Sequence, residues 1–168
     1  MASIYVIGLP GCGKTTLGIG LAKELGLEFI DLDEAIELTE GSTISDIFKT
    51  KGEDYFRNLE RVVLHDTFLK ENVLVATGGG GACFFDNIEQ INSNGKSLYL
   101  KVSVEELYKR LYGKEVEHRP LLKDKTGEEL KKEIRFKLEN RKKYYEEAHH
   151  IVEGDNIQIK DLLFSLES

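Results

Sequence analysis

Short apolar runs alternate along this chain with longer stretches of helical periodicity. Ile4–Ile7 (IYVI), Glu28–Leu32 (EFIDL), Asn72–Thr77 (NVLVAT), Ser97–Val102 (SLYLKV) and His150–Glu153 (HIVE) are short and apolar or β-branched, so each predicts a strand. After the first run, Leu17, Leu21 and Leu25 recur at helical spacing, with Lys23 and Glu24 on another face. Near the C-terminus a capping box, Thr126 and Glu129, opens a stripe of Leu130, Ile134, Leu138, Arg141, Tyr145 and Ala148. Strands separated by helices predict an α/β fold: a parallel sheet covered on both faces, with ligands beyond the carboxyl ends of its strands.

With 168 residues and 40% hydrophobic content, the chain reads as one domain, 1–168, with a full core. A formal net charge of −7 and the lack of a long basic run argue against a nucleic-acid partner. An anionic ligand would need a local cluster of Arg and Lys against that overall field. Cys12 and Cys83 lie far apart without zinc spacing, which reads as reduced thiols in a cytoplasmic protein. No stretch approaches the roughly 20 apolar residues of a membrane helix, and no signal peptide precedes the first strand.

The strand Ile4–Ile7 runs directly into GLPGCGKTT, residues 8–16, and then into a helix. Gly8-x-x-x-x-Gly13-Lys14-Thr15 is the spacing of a phosphate-binding loop. Glycines let backbone N–H groups converge on an anion, and the helix that follows adds the positive end of its dipole. Lys14 can reach the outer phosphates, and the Thr15 hydroxyl can ligate magnesium.

Further candidates stand at other strand ends. If the extended geometry of FIDLD persists, Asp31 and Asp33 project to the same side, suiting one for the metal and one for an acceptor hydroxyl. The alternative is that Asp33 caps a helix beginning at Glu34. The third strand ends in Gly78–Gly81, where glycines permit positive φ and close approach of a ligand to the backbone.

Arg141 occupies a position where its helical stripe asks for an apolar residue. A buried unpaired guanidinium is costly, so this position points to a cavity or a fixed anion. Arg57 has Glu53 at i−4 and Glu60 at i+3, as in an ordinary surface ion pair, yet Leu64 and Phe68 share its side of the helix. Tyr112–Lys125 reads as a charged interruption between two helices, either a surface loop or a lid carrying Arg119 over the phosphates.

Together GLPGCGKTT, FIDLDEAIE, GEDYFRNLE, ATGGGG, HRPLL and NRKKYYEEA resemble the shikimate kinases in order and approximate spacing, across almost the whole chain. The resemblance implies a P-loop three-layer sandwich similar to the nucleoside monophosphate kinases, with a five-stranded parallel sheet flanked by helices. The P-loop would span 8–16, an acceptor-binding region about 31–62 and a lid about 112–125. It implies transfer of the ATP γ-phosphate to the 3-hydroxyl of shikimate, in aromatic amino-acid biosynthesis, with ATP and Mg2+ required. By the same resemblance, Gly11, Cys12, Gly13, Lys14, Thr15 and Thr16 hold the nucleotide phosphates, and Arg110 stacks on adenine. Arg119 reaches the phosphates from the lid, and Thr15 and Asp31 serve the metal. Asp33 contacts the acceptor hydroxyls as the candidate base, Arg57 and Arg141 hold the shikimate carboxylate, and Gly78, Gly79 and Gly80 line the pocket. Lys14, Asp33 and Arg119 are the catalytic set.

The loop departs from the family pattern G-[FLM]-M-G-[STA]-G-K-[ST] at Pro10 and Cys12. Neither is expected to touch Lys14 or Thr15, so altered ATP affinity is the most that follows. Cys12, near the phosphates, is a candidate for oxidation. The expected assembly is a monomer. Rival readings are a P-loop kinase for another polyol acid, such as gluconate, and a nucleotide-binding regulatory module without turnover.

Overall fold

The computed structural model describes residues 1–118 and 127–168, without the side chains of 113–118. The chain runs β1 (Ile4–Ile7), α1 (Lys14–Leu25), β2 (Glu28–Asp31), α2 (Leu32–Glu40), α3 (Ile44–Lys51) and α4 (Glu53–Thr67). It continues through β3 (Val73–Ala76), α5 (Asn87–Asn94), β4 (Lys96–Lys101), α6 (Val104–His118), α7 (Gly127–Tyr145), β5 (His150–Glu153) and α8 (Ile159–Glu167). All strands pair in parallel in the order β2-β3-β1-β4-β5, and every strand read from the apolar runs is present.

Strand order explains the composition of the runs. β1 and β3 are buried at every position and β4 at most of its length, so both faces must be apolar. β2 and β5 lie at the edges, and there the half-exposed pattern admits Glu28 and Glu153. Ile4 pairs with Leu74, and Leu74 with Phe29, so these side chains share the face against which α1 packs. Gly18 sets the closeness of that packing: a Cβ there would stand 2.9 Å from Phe29 and 3.2 Å from Leu74. Tyr5 and Val75 point to the opposite face, where the fully buried Tyr5 hydroxyl bonds Thr67 of α4 at 3.2 Å. Helices therefore cover both faces.

Two boundaries differ from the sequence reading. Extended geometry stops at Asp31, because α2 begins at Leu32. The residue that caps it is Asp31, whose Oδ1 accepts from the N–H groups of Asp33 at 3.0 Å and Glu34 at 3.3 Å. Asp33 is thus a first-turn residue, neither the strand continuation nor the cap expected of it. The second difference is that α6 runs to His118, so 112–118 is helical where an interruption was expected. The remainder of the expected lid, with Arg119, and the Thr126 half of the capping box lie outside the described residues.

Candidate active site

The turn between β1 and α1 delivers the phosphate loop to the carboxyl edge of the sheet. Gly8, Gly11 and Gly13 have φ of 150°, 85° and 102°, a conformation disfavoured for side-chain-bearing residues, and Gly13 becomes the N-cap of α1. Lys14, 9% exposed, folds back over the loop and donates to the carbonyls of Gly8 at 2.8 Å and Leu9 at 3.0 Å. Its third contact is Cys12 Sγ at 3.7 Å. This corrects the expectation that Cys12 leaves Lys14 untouched. Cys12 is also only 1% exposed, which removes the ready access that an oxidation site needs.

Thr15 and Thr16 occupy the first turn of α1, both exposed at the loop. Thr15 Oγ1 lies 3.4 Å from Asp31 Oδ2, so the hydroxyl and the carboxylate at the end of β2 share one locality. Arg110 of α6 closes the other side of the loop. Its Nη1 donates to the Gly11 carbonyl at 3.1 Å, its Nη2 to the Asp155 carbonyl at 2.9 Å and its Nε to Glu106 at 3.1 Å.

The glycine run after β3 is where the acceptor candidates meet. None of Gly78–Gly81 has positive φ, so left-handed backbone, expected from the sequence, is not the reason for the glycines. Close approach is. A Cβ on Gly78 would lie 2.6 Å from Asp33 Oδ1, and one on Gly80 would lie 2.8 Å from Arg57 Nη1. A Cβ on Gly79 would meet the Pro10 ring at 2.8 Å and Arg141 Nη1 at 3.4 Å. Successive glycines thus each seat a different candidate side chain, and Pro10 packs the phosphate loop against the middle one.

The charges here are confined. Arg57 is 9% exposed and Glu60 only 1%, and they pair at 2.9 Å. The surface ion pair offered by the spacing is a buried one, with Glu53 at 3.6 Å as a more exposed second partner. The Arg57 guanidinium also lies 4.0 Å from the centre of the Phe84 ring, while its buried Nε has no hydrogen-bond partner. Burial raises the Glu60 carboxyl above its ordinary range, opposed by Arg57 and, further off, Arg141. Burial likewise raises Asp33, and Asp31 adds to it by repulsion, with Lys14 pulling the other way.

Glu60, Phe84 and Tyr145 had no place in the site read from the sequence. Glu60 was visible as an i+3 partner, but its burial was not. Phe84 carries no motif signal. Tyr145 was legible only as a member of the apolar stripe; its hydroxyl donates to the Gly79 carbonyl.

A glycine loop that carries its lysine from the central strand of a parallel sheet into a helix, faced by a carboxylate and two arginines, defines the class as a P-loop phosphotransferase with a small anionic acceptor. Comparison with known proteins narrows the class. A family model described as shikimate kinase matches residues 10–165. A shikimate kinase of Parabacteroides distasonis is 49% identical over 149 residues, covering 88% of this chain and 85% of its own. Among solved structures, a shikimate kinase from Bacteroides thetaiotaomicron superposes with a TM-score of 0.92 at 38% identity, over 99% of both chains. One from Acinetobacter baumannii, in complex with shikimate, gives 0.83 at 37% identity, over 97% of this chain and 88% of its own. The chain belongs to the shikimate kinase family.

Among the described residues no helix is long and apolar enough to cross a membrane.

Proposed function

We propose that this chain transfers the γ-phosphate of ATP to the 3-hydroxyl of shikimate, giving shikimate 3-phosphate and ADP. The observation that carries the reading is the seating of Asp33, Arg141 and Arg57 on consecutive glycines beside the phosphate loop. Guanidinium groups recognise a planar carboxylate through paired N–H bonds, and a pair of them suits a compact carboxylic acid. Arg57 is presented by its stack on Phe84 and its bond to Glu60, so little side-chain freedom remains to be lost on binding.

Asp33 orients the acceptor hydroxyl and receives its proton, a task helped by a carboxyl whose basicity burial has raised. Lys14 exchanges its bonds to the Gly8 and Leu9 carbonyls for the outer phosphate oxygens, which keeps its charge satisfied in both arrangements. Arg110 flanks the nucleotide side of the loop, and Arg119 is assigned to the phosphates on sequence alone. Thr15 and Asp31 would hold a magnesium ion. A hydroxyl and a carboxylate oxygen suit this hard cation, which takes few protein ligands beside phosphate and water. When bound, the ion offsets charge on the phosphate oxygens.

We further read the chain as one cytoplasmic domain acting as a monomer on a small molecule, with its acceptor region at 31–62 and a lid at 112–125. Sedimentation at working concentration checks the assembly state. A coupled ADP-release assay with Mg-ATP tests the activity, run with shikimate, with gluconate and with no acceptor. Release that depends on shikimate supports the reading. Turnover with gluconate alone replaces the acceptor, and ATP binding without any turnover replaces the enzyme by a regulatory module.

A further inference from the structure

The Tyr145 side chain is fully buried, and no step above uses it. Its ring stacks on Tyr99 with centroids 5.0 Å apart, and Tyr99 is itself a β4 residue only 3% exposed, so the phenol stands on a rigid platform. Its hydroxyl donates to the Gly79 carbonyl, and the Arg141 guanidinium and the Cys83 thiol approach the same oxygen. A phenol has one proton to give. With that proton on Gly79, the oxygen can act only as an acceptor, and Arg141 is the cation beside it. Burial holds the phenol far above its ordinary range and pushes the Cys83 thiol up to about 11, so both remain neutral at physiological pH.

The peptide joining Gly79 to Gly80 is planar and trans, so its C=O and N–H point in opposite directions. A carbonyl drawn down to Tyr145 therefore turns the Gly80 N–H to the opposite side of the peptide, away from the phenol, at the glycine that seats Arg57. Gly80 is buried, and among the described residues its N–H has no hydrogen-bond partner. An unpaired buried donor is costly unless a ligand receives it. Resting on the shikimate kinase reading, we infer that Tyr145 is a positioning residue: its hydroxyl, held by the stack on Tyr99, fixes the Gly79–Gly80 peptide so that the Gly80 amide faces the acceptor.

Tyr145→Phe keeps the ring and its stack and removes only the hydroxyl. Steady-state kinetics should show KM for shikimate raised about tenfold, the size of one lost hydrogen bond, with KM for ATP within about twofold of wild type. An unchanged shikimate KM, or an equal rise in both constants, would overturn the inference. A second measurement needs no variant: in the 15N-labelled wild-type protein, shikimate should shift the Gly80 amide resonance. A Gly80 signal indifferent to saturating shikimate also overturns it. Wild-type turnover in the same series separates the two levels. Failure of the wild type to phosphorylate shikimate removes the proposed function and the inference with it, whereas normal wild-type turnover beside an unaffected variant removes the inference alone.

Discussion

Gly80→Ala is the most exposing perturbation of this site. Its methyl group would stand 2.8 Å from Arg57 Nη1, 2.9 Å from Nη2 and 3.1 Å from Cζ. Restoring an ordinary contact of 3.4 Å requires the guanidinium to retreat by about 0.6 Å. It has little room to do so, because Phe84 covers its face at 4.0 Å and Nη1 is bonded at 2.9 Å to Glu60, which is buried in turn. Gly80 has no positive φ, so the backbone itself accepts alanine and the effect is steric alone. Overpacking of this kind costs about 1–3 kcal/mol of stability. Displacing a substrate-holding group by a large part of an ångström costs on the order of tenfold to a hundredfold in acceptor use. Gly81→Ala is the matched control, since its nearest contacts are 3.3 Å to Thr77 and 3.4 Å to the Gly78 carbonyl. Thermal unfolding and steady-state kinetics on both variants decide the matter. The expectation is a raised shikimate KM and a near-normal ATP KM for Gly80→Ala only; a wild-type shikimate KM in that variant would refute the seating of Arg57 on Gly80.

Asp33→Asn should lower kcat by about 10²–10⁴ and yet raise the melting temperature at neutral pH. The sign follows from its raised folded-state pKa: the folded chain holds this proton more tightly, so the stability it lends is full below the unfolded value and is lost as pH rises through the folded one. A lower melting temperature at pH 7 would contradict that account. For the same reason, the acid limb of kcat/KM should lie above the ordinary aspartate range. Asp31→Asn should keep the α2 cap and weaken magnesium dependence, whereas Asp31→Ala should also cost about 1 kcal/mol of stability; equal melting temperatures for the two would deny the cap its role. Arg141→Ala should damage shikimate use far more than ATP binding, and isothermal titration showing equal damage would make that arginine structural.

The phosphate loop was legible because its chemistry is local. The glycines, Lys14 and Thr15 lie within a few residues of one another, and the strand and helix around them follow from short-range periodicity. The five strands were legible for the same reason, since each is a brief apolar run bounded by polar turns. Arg141 also announced itself, as a charge in an apolar stripe. What local pattern could not decide was direction and burial. Asp31 and Asp33 differ by two residues, and only the observed start of α2 at Leu32 made one the cap and the other a neighbour of Gly78. The spacing of Arg57 and Glu60 is common on wet helix faces; α4 packing on the sheet turned it into a buried pair.

By itself, then, the sequence determined the order of elements and the nucleotide loop, because those depend on spacing along the chain, and it offered the candidates for the acceptor set. Tertiary structure alone decided that Gly78, Gly79 and Gly80 are glycines for the sake of Asp33, Arg141 with Pro10, and Arg57. It alone put the Tyr145 hydroxyl beneath the Gly79 carbonyl, 66 residues away in sequence. Contacts between residues so distant depend on how helices cover a parallel sheet, and no periodicity within either segment encodes them.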